Sequence, residues 1–169
     1  LSSNDMLETT NTEFLGEFKN YLESEETKAS AAENPPVPYR DQVVKDQYSN
    51  FSDKRYGNNN LMVGLDAAMH GTHVSGIIAA ARNNGVGMDG VADNVQIMTL
   101  RAVPDGDEHD KDIALAIRYA VDHGARVINM SFGKSFSPEK KWVDEAVRYA
   151  ESKDVLLVHA AGNDAKNLD

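Results

Sequence analysis

The sequence predicts an α/β fold built on a parallel sheet. Two observations predict it. Three short, nearly continuous apolar runs occur at residues 95–100 (Val-Gln-Ile-Met-Thr-Leu), 125–132 (Ala-Arg-Val-Ile-Asn-Met-Ser-Phe) and 155–160 (Val-Leu-Leu-Val-His-Ala). Between them lie two segments with apolar residues at helical spacing. Strands this apolar are expected where helices cover both faces of a sheet, and a helix between successive strands lets them run parallel. With 41% hydrophobic and 26% charged residues, a chain of 169 residues can bury a core of this kind.

The remaining composition excludes several functions. A net charge of -10 argues against a nucleic-acid backbone as partner. The absence of cysteine removes disulfides, thiol nucleophiles and thiolate metal sites. No apolar run is long enough to span a membrane. The chain opens Leu1-Ser2-Ser3, with neither an initiator Met nor a signal-like stretch, and is expected to be an excerpt of something longer.

In chain order, residues 1–10 are polar and a helix is expected over 12–31. Phe14, Leu15, Phe18, Tyr21 and Leu22 form its apolar stripe, and Asn11 or Thr12 its cap. Such a stripe docks on the main body or on a partner helix. Asn34-Pro35-Pro36-Val37-Pro38 reads as an extended linker. The expected organisation is therefore residues 1–40 as a helical segment with its linker and residues 41–169 as the main domain. Residues 41–69 are irregular, with a turn at Asn58-Asn59-Asn60.

Residues 70–80 read His-Gly-Thr-His-Val-Ser-Gly-Ile-Ile-Ala-Ala. Val74, Ile77, Ile78 and Ala81 share one helix face, which predicts a buried helix with His70 at its mouth. Imidazole is the usual general base near neutral pH. Two other patterns here mislead. Residues 85–90 fit G-x-G-x-x-G, but a helix precedes and a strand follows, the reverse of the dinucleotide motif. His70 and His73 lie near Asp66, but no further ligand and no glutamate base stand on the same helix, so no metal site is expected.

Asp110 can cap a helix ending at His123, with Gly124 as its stop and Ile113, Ile117, Ala120 and Val121 inward. Ser137-Pro138 opens a helix to Ser152, with Trp142, Val143, Ala146, Val147 and Ala150 inward. Sites in parallel sheets lie at the carboxyl ends of strands. The residues expected there are those from Arg101 to Pro104, Ser131 to Gly133, and Ala161-Gly162-Asn163.

Together these segments resemble the subtilisin-like serine proteases. Residues 70–80 match the pattern around that family's catalytic histidine. The likeness continues in residues 83–87, in Gly90-Val91-Ala92, in residues 127–133 and in Ala160-Ala161-Gly162-Asn163. It covers roughly residues 70–163. It implies a hydrolase with a three-layer, parallel-sheet subtilisin-like fold, here incomplete and carrying an N-terminal helical insertion. By resemblance, His70 is the general base and Asn163 the side-chain donor of the oxyanion hole. Ser131, Phe132 and Gly133 are the edge that pairs with a peptide substrate. Ala160, Ala161 and Gly162 line the primary specificity pocket. The loop after the His70 helix resembles a calcium loop, with Asn84 at a ligand position. The other ligands have no counterpart, so no cofactor is expected here, although calcium stays open for a longer protein. The resemblance also implies a secreted or cell-envelope setting.

Both other members of the triad are missing. Its aspartate should precede His70 in Asp-Ser-Gly or Asp-Thr-Gly, and its serine should follow Asn163 in a Gly-Thr-Ser turn; neither motif occurs. Asp41, Asp46 and Asp53 lie in polar stretches, and Asp66 is too near His70 in sequence. Ser131, Ser135 and Ser137 are substitutes in composition alone. The chain by itself is therefore expected to hydrolyse nothing, as part of a serine endopeptidase that does; the alternative is a non-catalytic, peptide-binding relative. Four carboxylates, Asp105, Asp107, Glu108 and Asp110, crowd the loop beside the expected subsites. They favour basic substrate side chains or form a solvated acidic turn. Unpaired sheet edges would also allow a homo-oligomer.

Overall fold

The computed structural model describes residues 15, 16, 18, 19, 22, 26, 29, 30, 40, 43–61, 64–103, 108–134 and 136–163, and for residues 65–67 the backbone alone. The chain divides into two units, Leu1–Lys45 and Asp46–Asp169. In the first, Leu15, Gly16, Phe18, Lys19, Leu22, Glu26, Ala29 and Ser30 are helical, as the periodicity expects. Leu15, Phe18 and Leu22 of its stripe are exposed. Phe14, Tyr21 and the proline-rich residues 34–38 lie outside the described residues.

The second unit contains α1 (Leu65–Ala79), α2 (Asp110–Asp122), β1 (Val127–Met130), α3 (Lys140–Ser152) and β2 (Leu156–His159). β1 and β2 are parallel, in register from Val127 opposite Leu156 to Met130 opposite His159. Helix α3 is their crossover. Ile113, Ala114 and Ile117 of α2 and Ala146 and Ala150 of α3 form the core with Met130 and Val155. Ile128 and Leu157, in register with each other, pack on the same cluster. Alanines at the helix–helix contact let the two helices approach closely, so their area is removed from water without a void.

Both helices end in the same way. Gly124, at φ 89°, follows α2; its N–H bonds to Val121 O, and the Ala125 N–H bonds to Ala120 O. Asp154, at φ 57°, follows α3; its N–H bonds to Glu151 O, and the Val155 N–H bonds to Ala150 O. This is the Schellman termination, which turns the chain sharply and leads each helix straight into its strand. The stop expected at Gly124 is observed. Residues 46–56 lie across the other end of the helices. Phe51 stacks on Trp142 at 5.2 Å and Tyr48 meets the same ring edge-on at 6.0 Å. The Tyr56 hydroxyl donates to Asp112 at 2.5 Å.

Several expectations need correction. Residues 95–100 form no strand, so among the described residues the sheet has two strands rather than three. Val95, Ile97 and Met98 are exposed. An apolar run marks a segment that gains by burial, but a strand also needs a neighbour to take its backbone bonds, and none of the described residues supplies one. Among the described residues the helices cover one face of the sheet; Val127, Leu156 and Val158 on the other face are exposed. Helix α1 begins five residues before His70, so His70 lies within the helix rather than at its mouth. The α1 face expected to be buried is open: Ile77 is exposed and Val74 and Ile78 are half-buried. Helix α3 begins at Lys140 rather than at Ser137.

Candidate active site

The carboxyl ends of β1 and β2 lie side by side because the two strands are parallel and in register. Ser131, Phe132 and Gly133 leave β1 there, and Ala160, Ala161, Gly162 and Asn163 leave β2. The ladder continues one step past the strands through the Ala160 N–H to Met130 O at 3.1 Å. Phe132 meets His159 edge-on at 5.9 Å. A methyl group placed on Gly133 would rest 3.6 Å from Cε1 of the same ring. Gly162 turns the chain at φ 87°, a conformation costly for a residue with a Cβ. Beyond that turn, Asn163 is exposed.

One cluster holds Glu108, two residues before α2, against this edge. The Gly133 N–H donates to Glu108 Oε1 at 2.9 Å. Lys134 Nζ donates to the Glu108 carbonyl oxygen at 2.5 Å and lies 2.8 Å from Asp110 Oδ1. Asp110 also accepts the Ser137 hydroxyl at 2.7 Å and the Glu139 N–H at 2.8 Å. It therefore braces the entrance of α3 instead of capping its own helix as the sequence suggested. Burial alone would raise the Asp110 pKa. Lys134, Ser137 and the Glu139 N–H outweigh that effect and hold it below its ordinary value of 3.8.

His70 is exposed on α1, and its imidazole makes no hydrogen bond, ion pair or ring contact among the described residues. The structure thus brings together the two strand-end segments but joins no described residue of them to His70. Two of the aspartates considered as its orienting partner, Asp46 and Asp53, are engaged elsewhere. Asp46 is paired with Lys111 at 2.7 Å, and Asp53 accepts the Gln47 N–H at 2.7 Å. Asp41, Asp105, Asp107, Ser135 and the side chain of Asp66 lie outside the described residues. Ser131 Oγ accepts from Asn129 Nδ2 at 2.9 Å. Among the described residues no group of three His, Asp or Glu side chains is placed to hold a metal ion, and no helix is long and apolar enough to cross a membrane.

The loop after α1 is held by its own side chains. Arg82 Nε donates to Gly90 O at 2.8 Å, Asp89 Oδ1 accepts the Asn83 N–H at 3.1 Å, and Asn84 Oδ1 accepts the Val86 N–H at 2.9 Å. The sequence reading missed the roles of Glu108, Lys134 and His159. The one signal for them is topological: α2 and β1 put residues 108 and 133–134 at the same end of the unit.

Comparison with known proteins matches residues 10–169 to the Subtilase family (Peptidase S8), extending the likeness upstream of the motifs at residue 70. A thermophilic serine proteinase of Bacillus sp. (strain AK1) is 43% identical over 104 residues, covering 61% of this chain and 25% of that protein. A cell wall-associated protease of Bacillus subtilis (strain 168) is 42% identical over 111 residues, covering 65% of this chain and 12% of that protein. Thermitase of Thermoactinomyces vulgaris is 39% identical over 95 residues, covering 56% and 33%. The matched stretch is thus a third or less of each of these proteins. No solved structure gives a significant match. The sequence motifs, the parallel strand–helix–strand unit and this match across nearly the whole chain lead to one conclusion: the chain belongs to the subtilase family of serine peptidases.

Proposed function

We propose that the chain is part of a subtilisin-like serine endopeptidase and carries its general base, His70, and its oxyanion donor, Asn163. The observation that carries this reading is the adjacency of two strand ends. Ser131, Phe132 and Gly133 form the main-chain edge for an extended peptide, and Ala160, Ala161 and Gly162 form the pocket wall beside it. Asn163 follows the Gly162 turn, where an amide can be aimed at the oxygen that becomes an alkoxide during attack. Such a donor stabilises the transition state more than the substrate. His70 takes the proton of a serine nucleophile and returns it to the leaving amine. The serine and the aspartate that orients the imidazole come from sequence beyond these 169 residues, so the chain alone turns over no peptide. A secreted or cell-envelope setting accords with the name of the cell wall-associated relative.

The test uses the longer protein that contains this chain, beside the chain itself. His70→Ala is expected to abolish peptide hydrolysis by the longer protein. Asn163→Ala should lower its kcat by about 10²–10³, the magnitude such a donor has in a subtilisin, with little change in KM. Undiminished hydrolysis by the His70 variant overturns the assignment of the base. Turnover by the isolated chain overturns the requirement for a serine and an aspartate from outside it.

A further inference from the structure

We propose that Glu108 is an internal latch on the substrate-pairing edge: its carboxylate holds the Gly133 N–H that an extended peptide would otherwise bond, so latch and peptide compete. This rests on the proposed reading of Ser131, Phe132 and Gly133 as that edge. Glu108 Oε1 lies 2.9 Å from the Gly133 nitrogen, within the range of a backbone ladder bond. The carboxylate oxygen therefore stands where the carbonyl of a paired peptide would stand.

Two further observations make the contact a device rather than a passing one. The backbone at Glu108 is anchored beside the edge, because the ammonium of Lys134, the residue after Gly133, donates to the Glu108 carbonyl while it also pairs with Asp110. The latch is also incompletely satisfied. Glu108 Oε2 is buried and has no hydrogen-bond partner. A buried carboxylate oxygen without a donor loses its hydration for nothing in return. Displacement by a peptide carbonyl replaces one bond to Gly133 with another and returns both carboxylate oxygens to water. The contact thus raises the threshold for binding without blocking it, and weak or mispaired peptides gain least.

The experiment titrates the 15N-labelled chain with an acetylated, amidated tetra-alanine peptide and follows the Gly133 amide resonance. Glu108→Ala is expected to bind the peptide tighter by on the order of tenfold or more, the range set by a hydrogen bond to a charged group. Glu108→Gln, whose neutral oxygen is a weaker acceptor, should fall between the two. Lys134→Met, which frees the backbone at residue 108 and leaves the carboxylate intact, should also bind tighter than the parent. Equal peptide affinity in the parent and in Glu108→Ala overturns the latch while leaving the edge in place. Weaker binding by Glu108→Ala overturns it too, since Glu108 would then support the edge. If the peptide moves no resonance of residues 131–133 in any variant, the latch and the edge reading fall together.

Discussion

The Lys111 ammonium lies 2.7 Å from the Asp46 carboxylate, and neither side chain has any surface exposed to water. The ammonium also donates to Gln47 O at 2.8 Å and lies 4.9 Å from the centre of the Tyr56 ring. This pair fastens the segment that follows residue 45 to the first turn of α2. A charge removed from water is tolerated only while its partner remains. Lys111→Met or Asp46→Leu is therefore expected to cost about 3–5 kcal/mol. The double replacement Asp46→Leu with Lys111→Met should cost far less than the two single losses combined. Denaturant unfolding of the four proteins measures this as a double-mutant cycle. Additive single costs would mean that the two groups are not coupled.

Asp110 predicts a specific response to acid. Its folded pKa is depressed, so its contribution is present above the unfolded value and is lost as pH falls through the lower, folded one. Asp110→Asn should consequently be less stable than the parent at neutral pH, and the gap should close as the pH falls below 3.8. Unfolding midpoints across that range are the measurement. A gap that stays constant into acid would show that the amide disturbs packing alone and that the carboxylate's charge contributes nothing.

The parts legible in the sequence were those written in local periodicity. The inward residues Ile113, Ile117, Ala146 and Ala150 follow from helical spacing, and each is buried. The Gly124 stop follows from a residue that adopts positive φ without cost. Asp154 does the same job after α3 with no glycine to announce it. The candidate site was half legible. Motif identity singled out Ser131 to Gly133 and Ala160 to Asn163, and the parallel register sets them together. Glu108 and Asp110 were singled out as carboxylates, but their contacts with Gly133 and Lys134 escaped notice because they join residues about 25 apart. The status of residues 95–100 escaped for a related reason. Composition reports what a segment gains from burial but not whether a neighbour exists to bury it.

Gly90 offers the sharpest local test. The loop after α1 returns to the end of that helix, and three of its N–H groups satisfy helix carbonyls: Gly90 to Ala80 at 3.0 Å, Val91 to Ile77 at 3.0 Å and Ala92 to Ile78 at 2.8 Å. A Cβ on Gly90 would come within 2.3 Å of the Ala80 nitrogen and 2.7 Å of the Ala79 carbonyl carbon. Both are backbone atoms of the helix end, so no side chain can rotate away to relieve the clash. Gly90→Ala must push the loop off the helix or distort the last turn, at a cost of about 1–3 kcal/mol. The damage should stay local. Hydrogen exchange at the Gly90-position, Val91 and Ala92 amides should accelerate, while the amides of Ala146 and Ala150 in the α2–α3 core keep their protection. Unchanged exchange at those three amides would show that the loop does not sit against the helix end. Accelerated exchange throughout the core would instead show that α1 and its loop fold as one unit with α2 and α3.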